Sequence, residues 1–232
     1  ALVYNVPGVK SGLKLTPDTV SGIFLGQIQS WNDAAIRHAN PNVRLPHLAI
    51  QVVYRADGSG TTYIVTHYLS DVSSAWSGSV GSGSTVAWKT GIGASKSAGV
   101  AAAVSRTSGA IGYVDLAYAI QAHMTYAQVQ NQSGRYVTPS VAAAVAAANS
   151  FVGAMPYDLE QLIVNSAAPD AYPITGYSFI FLCGKQAGTK GRTLVDFVRY
   201  VVTAGQAASA PRYYAPLPAS VQRKDITALN AI

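Results

Sequence analysis

An α/β fold with a largely parallel sheet is the architecture that this sequence predicts. An apolar run at 49–54 precedes a turn and a helical pattern, and a helical pattern at 98–104 precedes the apolar run at 110–114. A further apolar run at 174–183 is followed by an amphipathic helix. Strands that alternate with helices are typical of parallel sheets with helical crossovers. The 232 residues, 49% of them hydrophobic, suffice for a substantial core in one large domain or two small ones.

The first fifty residues predict one short strand and two helices. Residues 2–4 form the strand, which Pro7-Gly8 ends. Thr16-Pro17-Asp18 begins the first helix, because a capping hydroxyl, a proline in the first turn and an acid favour that position. The second helix begins at residues 31–33 and ends near Asn40-Pro41.

The middle of the chain predicts an ordered loop region and a hairpin. Residues 77–99 are rich in glycine and serine, but Trp76 and Trp88 indicate a loop that packs on a core. Residues 125–130 and 136–137 predict two hairpin strands closed at Ser133-Gly134.

The last third predicts a strand between helices. Alanine-rich residues 140–149 favour a helix. The run 174–183 predicts a strand apolar on both faces, in which Cys183, the single cysteine, is a small buried side chain. The next helix has an apolar stripe, and a final helix begins at about Ser220. The stripe consists of Leu194, Phe197, Val198, Val201 and Val202.

The segment Arg55-Ala56-Asp57-Gly58-Ser59-Gly60-Thr61-Thr62 predicts a binding site for a tetrahedral oxyanion, in particular phosphate. It connects the strand at 49–54 to a helix that begins at Thr61. A helix N-terminus offers unpaired N–H groups and a partial positive charge, and an arginine offers a planar fork for two oxygens. A simpler interpretation stays open: a capped helix after a strand, with Arg55 paired to Asp57 at the surface.

The chain lacks the sequence motifs of several other functions. The segment has no Walker A lysine and the chain no Gly-x-Ser-x-Gly, so neither nucleotide hydrolysis nor an acyl-transfer serine is indicated. The charge of +6, from 16 basic and 10 acidic residues, is scattered and favours solubility over nucleic-acid binding. No apolar stretch reaches membrane-spanning length. The histidines show no metal-ligand spacing, so no metal is expected. These histidines are His38, His47, His67 and His123. No nucleophile–base pair is visible either, so an enzyme such as a phosphatase ranks third among the candidate functions, and neither catalysis nor a cofactor is expected.

Over essentially its whole length the chain resembles one family, the phosphate-binding protein that feeds the phosphate ABC transporter. The resemblance rests first on the segment from Arg55 to Thr62. It continues in Ser-Val-Gly-Ser-Gly-Ser-Thr-Val-Ala-Trp at 79–88 and Gly-Ala-Ile-Gly-Tyr-Val-Asp-Leu-Ala-Tyr-Ala at 109–119. Phe-Leu-Gly-Gln-Ile-Gln-Ser-Trp-Asn-Asp at 24–33 and Tyr-Ala-Pro-Leu-Pro at 214–218 match as well.

The resemblance implies a type II periplasmic-binding-protein fold, in which hinge strands join two lobes around a ligand cleft. Residues 6–171 would form one complete lobe, which carries the Arg55 segment. Residues 1–5 and 172–232 would form a hinge strand and the remaining part of the other lobe, the family's first, which would be incomplete. A periplasmic or extracellular surface location is implied.

The resemblance also implies the site. Arg55, Ser59, Gly60 and Thr61 would contact phosphate, and Asp57 would hold Arg55 in place. A membrane permease would receive the phosphate.

The chain departs from the family pattern in having no counterpart of the family's glycine-rich start, with its Thr-Phe, or of a later serine and aspartate. That aspartate accepts a phosphate proton and favours phosphate over sulfate. We therefore expect the 232 residues alone to bind phosphate weakly and to need a further segment or partner chain. The alternative is a structural or surface-assembly protein that reuses the scaffold.

Overall fold

The computed structural model describes residues 1–156, 158–186 and 188–232. The strands are β1 (Leu2–Tyr4), β2 (Lys14–Leu15), β3 (Gln51–Arg55), β4 (Ile92–Ala94), β5 (Ala110–Tyr113), β6 (Thr125–Tyr126), β7 (Gln128–Gln130) and β8 (Tyr136–Val137). The helices are α1 (Pro17–Phe24), α2 (Ala34–Ala39), α3 (Gly60–Val72), α4 (Ser74–Ser79), α5 (Lys96–Arg106), α6 (Leu116–Gln121), α7 (Val141–Ser150), α8 (Gly188–Val202) and α9 (Ala219–Leu229). Short 3-10 turns lie at Val152–Ala154, Ala204–Ala208 and Ala210–Arg212.

The main sheet has five strands in the order β4-β3-β5-β1-β6. Strand β3 pairs in parallel with both β4 and β5, and α5 lies between β4 and β5 in the chain. Strand β1 is antiparallel to both β5 and β6, so it alone runs against the other four. The predicted α/β fold with a mostly parallel sheet is confirmed.

A second sheet has three strands in the order β2-β7-β8. Strands β7 and β8 form an antiparallel hairpin, as predicted, and Val129 lies opposite Val137. The predicted first hairpin strand at 125–130 is wrong in one respect. Its first two residues form β6, which pairs with β1 in the main sheet.

Capping side chains begin the helices where the sequence predicts. The hydroxyl of Thr16 accepts the N–H of Thr19 at the start of α1, and the carboxylate of Asp33 accepts the N–H of Ala35 at the start of α2. Ser140 caps α7 in the same way. Each cap satisfies an N–H group that has no partner within its own helix.

The main sheet separates two apolar clusters. Strand β1 is buried on both faces, with Leu2 and Tyr4 in the larger cluster and Val3 in the smaller one beneath α5. The indole of Trp31 is fully buried in the larger cluster and donates to the carbonyl of Gly109 at 2.9 Å. A third cluster joins α8 and α9 through Val198, Val202 and Leu229.

The glycine- and serine-rich region at 77–99 packs on the core, as predicted, but the prediction of a loop is wrong at 92–99, which contains β4 and the start of α5. Trp76 is fully buried, and the ring of Trp88 stacks on Tyr54 and Tyr113 with centroids 5.0 and 5.9 Å apart. These tryptophans therefore hold the region against β3 and β5.

The predicted strand at 174–183 is wrong. The segment forms no strand in the described structure, and Phe179, Ile180 and Phe181 are 40%, 54% and 88% exposed. A high strand propensity means only that the side chains suit a pleated surface. A strand also needs a neighbouring strand whose backbone N–H and C=O groups can pair with its own. Cys183 is exposed rather than buried for the same reason.

Candidate anion-binding site

The candidate site lies where three parallel strands of the main sheet end. Arg55 is the last residue of β3, Ser97 lies in the first turn of α5 after β4, and Asp115 lies between β5 and α6. Since β4, β3 and β5 are adjacent and parallel, their carboxyl ends lie at one edge of the sheet. Ligands bind preferentially at that edge in open α/β sheets.

Arg55 and Asp57 form a bidentate ion pair at the start of the loop after β3. The Nε and Nη2 atoms of Arg55 donate to the two carboxylate oxygens at 2.9 and 2.6 Å. The Arg55 side chain is only 12% exposed, against 38% for Asp57. The simpler interpretation was correct about the pairing, but the guanidinium is largely buried rather than at the surface.

Asp57 is held from two sides. The hydrogen bonds from Arg55 hold the pKa of the Asp57 carboxyl well below its usual range, and the N–H of Lys96 adds to this effect with a 2.9 Å bond. Lys96 has a left-handed backbone, with φ at 58°, at the start of α5. Bonds from both β3 and α5 therefore keep the carboxylate ionised and fix the guanidinium against it.

Two donors of Arg55 remain available for a ligand. A guanidinium has about five N–H groups. In the described structure two of them bond Asp57, and one on Nη1 donates to the hydroxyl of Ser97 at 3.3 Å. One N–H group remains on each of Nη1 and Nη2, which is the arrangement that can meet two oxygens of one anion.

Ser59 caps α3, as the simpler interpretation proposed. Its hydroxyl oxygen accepts the N–H groups of Thr61 and Thr62 at 3.1 and 3.2 Å. A hydroxyl has one donor besides its two acceptor sites, so the cap leaves the Ser59 proton able to serve a ligand. Capping and anion binding are therefore compatible at this residue.

The N-terminus of α3 is open at Gly60. A Cβ atom built on Gly60 would meet no other atom within 4 Å, so an anion can approach the backbone there. The hydroxyl of the next residue, Thr61, donates to a carboxylate oxygen of Asp115 at 3.4 Å. The structure thus brings the sequence-predicted residues together, namely Arg55, Asp57, Ser59, Gly60 and Thr61.

Tyr113, which the sequence analysis did not select, ties the two ends of the loop together. Its hydroxyl accepts the backbone N–H of Arg55 at 3.0 Å and shares a 2.7 Å hydrogen bond with the hydroxyl of Thr62. Burial raises the pKa of the Tyr113 phenol, so the group stays neutral. Because its ring stacks on Trp88, the hydroxyl is held in a fixed place.

Ser97 and Asp115 were also missed, although a signal for Asp115 exists. Ser97 accepts from Arg55 and donates to a carboxylate oxygen of Asp115 at 3.3 Å. Asp115 directly follows the strand pattern at 110–114, and residues just beyond neighbouring parallel strands meet at one edge. Ser97 has no comparable signal, because it lies inside a helix.

Other site types find no support in the part of the chain that the structure describes. No group of three or more His, Cys, Asp or Glu residues there could hold a metal ion. Within the same residues, no helix combines the length and the apolar character that a membrane crossing requires.

Comparison with known proteins places the chain in a family. A family model described as a PBP superfamily domain matches residues 1–204. The phosphate-binding protein PstS of Xylella fastidiosa is 40% identical over 225 residues, which cover 96% of this chain and 62% of that protein. The PstS protein of Pasteurella multocida is 40% identical over 226 residues, which cover 96% of this chain and 65% of that protein. This chain therefore spans about three fifths of the length of these relatives.

Solved structures agree on the fold. The ancestral soluble variant of the human phosphate-binding protein superposes with a TM-score of 0.70 at 21% identity, over 98% of this chain and 68% of that one. The periplasmic phosphate-binding protein PfluDING gives a TM-score of 0.65 at 23% identity, over 98% of this chain and 68% of that one. The predicted resemblance to phosphate-binding proteins is thus confirmed. The chain belongs to the PBP superfamily.

Proposed function

We propose that this chain binds inorganic phosphate at the loop between β3 and α3. The observation that carries the proposal is the guanidinium of Arg55, which keeps one N–H group on each of Nη1 and Nη2. Asp57 fixes this guanidinium beside the open N-terminus of α3. Relatives that are 40% identical over almost the whole chain are named phosphate-binding proteins, which supports phosphate over other oxyanions.

Each site residue receives a role from its geometry. Arg55 donates its two remaining N–H groups to phosphate oxygens, and the backbone of Gly60 together with the dipole of α3 adds a partial positive charge. The hydroxyls of Ser59 and Thr61 donate further hydrogen bonds. Asp57 does not touch the anion, but it orients Arg55 and remains ionised across the physiological pH range.

The proposed process is phosphate uptake through an ABC transporter, outside the cytoplasmic membrane. The chain would deliver phosphate to a membrane permease from a periplasmic or cell-surface position. Residues 6–171 would act as one lobe, and residues 1–5 and 172–232 as a hinge strand and part of a second lobe. The names of the relatives favour this process over a structural or surface-assembly role and over catalysis.

We also propose that protein groups outside these 232 residues complete the site. The relatives are longer, since this chain covers 62% and 65% of two of them. Each hydrogen bond to a charged group contributes about 1.5–3 kcal/mol, so every missing donor weakens binding by roughly tenfold or more. Submicromolar affinity of the 232-residue chain would contradict this part of the proposal.

Calorimetric titration of inorganic phosphate into the wild-type chain and two variants tests the function. R55A removes two charge-assisted hydrogen bonds to the anion and should weaken binding by roughly 100-fold or more. R37A, on the exposed face of α2, changes the net charge equally and should bind like the wild type. Comparable affinities for R55A and the wild type, or no wild-type binding in the millimolar range, would refute the proposed function.

A further inference from the structure

Asp115 directs its carboxylate at the anion loop instead of at its own helix. It is the N-cap residue of α6, but its side chain makes no capping hydrogen bond there, although capping is the usual role of aspartate at this position. Its two oxygens accept the hydroxyl of Thr61 at 3.4 Å and the hydroxyl of Ser97 at 3.3 Å. Both donors lie in the first turns of the helices that border the candidate site.

The carboxylate of Asp115 is a surplus negative charge beside this site. The one guanidinium of the loop, Arg55, is already neutralised by its bidentate pair with Asp57. Lys96, whose backbone N–H bonds Asp57, has an exposed side chain, so solvent screens its charge. Residues 55–62 together with Asp115 therefore carry a net charge of −1, from Arg55 against Asp57 and Asp115, and this charge opposes an anion.

The Thr61 hydroxyl has a single proton, which it cannot give to two acceptors at once. In the structure that proton is directed at Asp115. An anion at the N-terminus of α3 must therefore draw the proton away from the carboxylate, and only the difference between the two hydrogen bonds contributes to binding. The same hydroxyl then lies between two negative groups, which repel each other.

We propose that Asp115 is an affinity-limiting residue, which competes with the bound anion for the Thr61 proton and repels the anion by its charge. The inference rests on the proposed phosphate binding and adds a residue that works against it. A chain that hands phosphate to a partner must release it as well as bind it, and a fixed opposing charge weakens the bound state without removing any phosphate contact.

The test is calorimetric titration of inorganic phosphate into the wild-type chain and D115N at pH 8 and low ionic strength. The amide keeps the shape and one acceptor oxygen but loses the charge, and we expect binding to be about tenfold tighter. A residue that only positions Thr61 and Ser97 would give the opposite sign, because its loss would loosen the site. D170N is the matched control, because it changes the net charge equally at an exposed side chain that is 76% accessible.

Salt provides a second readout. Salt screens the attraction between the site and phosphate, and it also screens the repulsion by Asp115. In the wild type the two effects partly cancel. D115N lacks the repulsion, so its phosphate affinity should fall more steeply with added salt than that of the wild type. A second variant, D115S, serves if D115N does not fold, and the same increase in affinity is expected for it. Equal or weaker phosphate binding by a folded variant would overturn this inference while leaving the proposed function intact. Absence of wild-type binding would overturn both.

Discussion

Replacing Tyr113 by phenylalanine removes one hydroxyl and leaves two partners without it. The residue is 1% exposed, and its hydroxyl serves both the backbone N–H of Arg55 and the hydroxyl of Thr62, which is itself fully buried. The ring and its stacking on Trp88 stay in place. The substitution therefore isolates the hydrogen bonds from the packing.

The expected cost follows from these two partners. A buried polar group without a partner costs about 1–3 kcal/mol, and the Thr62 hydroxyl has no access to water in the structure. The Arg55 N–H is only partly buried, so solvent can replace part of its lost bond. Y113F should lower the free energy of unfolding by about 2–3 kcal/mol and the melting temperature by about 4–12 °C.

A double-mutant cycle with T62V tests the reason for the loss. T62V alone leaves the Tyr113 hydroxyl bonded to the Arg55 N–H and should cost about 1 kcal/mol. The double variant has no Thr62 hydroxyl that could be left without a partner. Its loss of unfolding free energy should therefore be smaller than the sum of the two single losses by at least about 1 kcal/mol. Urea unfolding followed by tryptophan fluorescence measures each value, with Y118F, at a partly exposed tyrosine, as the control.

Two results would refute the reasoning about Tyr113. A loss below about 0.5 kcal/mol for Y113F would match an ordinary surface substitution and would show that the Thr62 hydroxyl has another partner. Additive losses, within about 0.3 kcal/mol, would show that the two hydroxyls do not interact.

Three further predictions concern the frame of the site. G109A should lower the free energy of unfolding by about 3 kcal/mol or more in thermal or urea unfolding, because φ is 82° and the new methyl would overlap the Ala49 carbonyl. G134A, with φ at 80° but open space, should cost only about 1 kcal/mol, and equal losses would contradict the clash. S59A should cost about 1 kcal/mol through the lost cap of α3, and S59G less; an unchanged urea midpoint for S59A would count against the cap. The pKa of Asp57 is depressed by folding, so its contribution is present above about pH 4 and is lost as the pH falls below that value. D57N should therefore be less stable than the wild type at pH 6 and approach it toward pH 2, and a pH-independent gap in urea unfolding would contradict this.

Local signals in the sequence were sufficient wherever the structure depends on neighbours in the chain. Thr16 and Asp33 cap the helices that their positions predict, since a cap needs only a side chain and an N–H group two or three residues away. The residues of the anion loop from Arg55 to Thr61 lie within seven positions, and the structure brings them together by one turn between β3 and α3.

Contacts between distant parts of the chain were the ones that sequence reasoning missed. Ser97 and Asp115 lie 42 and 60 residues beyond Arg55, and only the parallel pairing of β3 with β4 and β5 places them beside it. The run 174–183 is the opposite case: its composition predicts a strand, but no strand of the described structure pairs with it. Pairing partners, rather than propensities, decided each of these cases.

The position of β1 sets the order in which the sheet can form during synthesis. Residues 2–4 lie between β5 and β6, and Tyr4 accepts a hydrogen bond from Thr125, 121 residues further along the chain. At about 5–20 residues per second, a ribosome needs about 6–24 seconds to make that stretch. The other partner, β5, is made only shortly before β6, so for most of this interval the triplet Leu-Val-Tyr has no strand to pair with. Strand β1 is thus made long before either of its partners, and until they follow it must be kept from wrong partners.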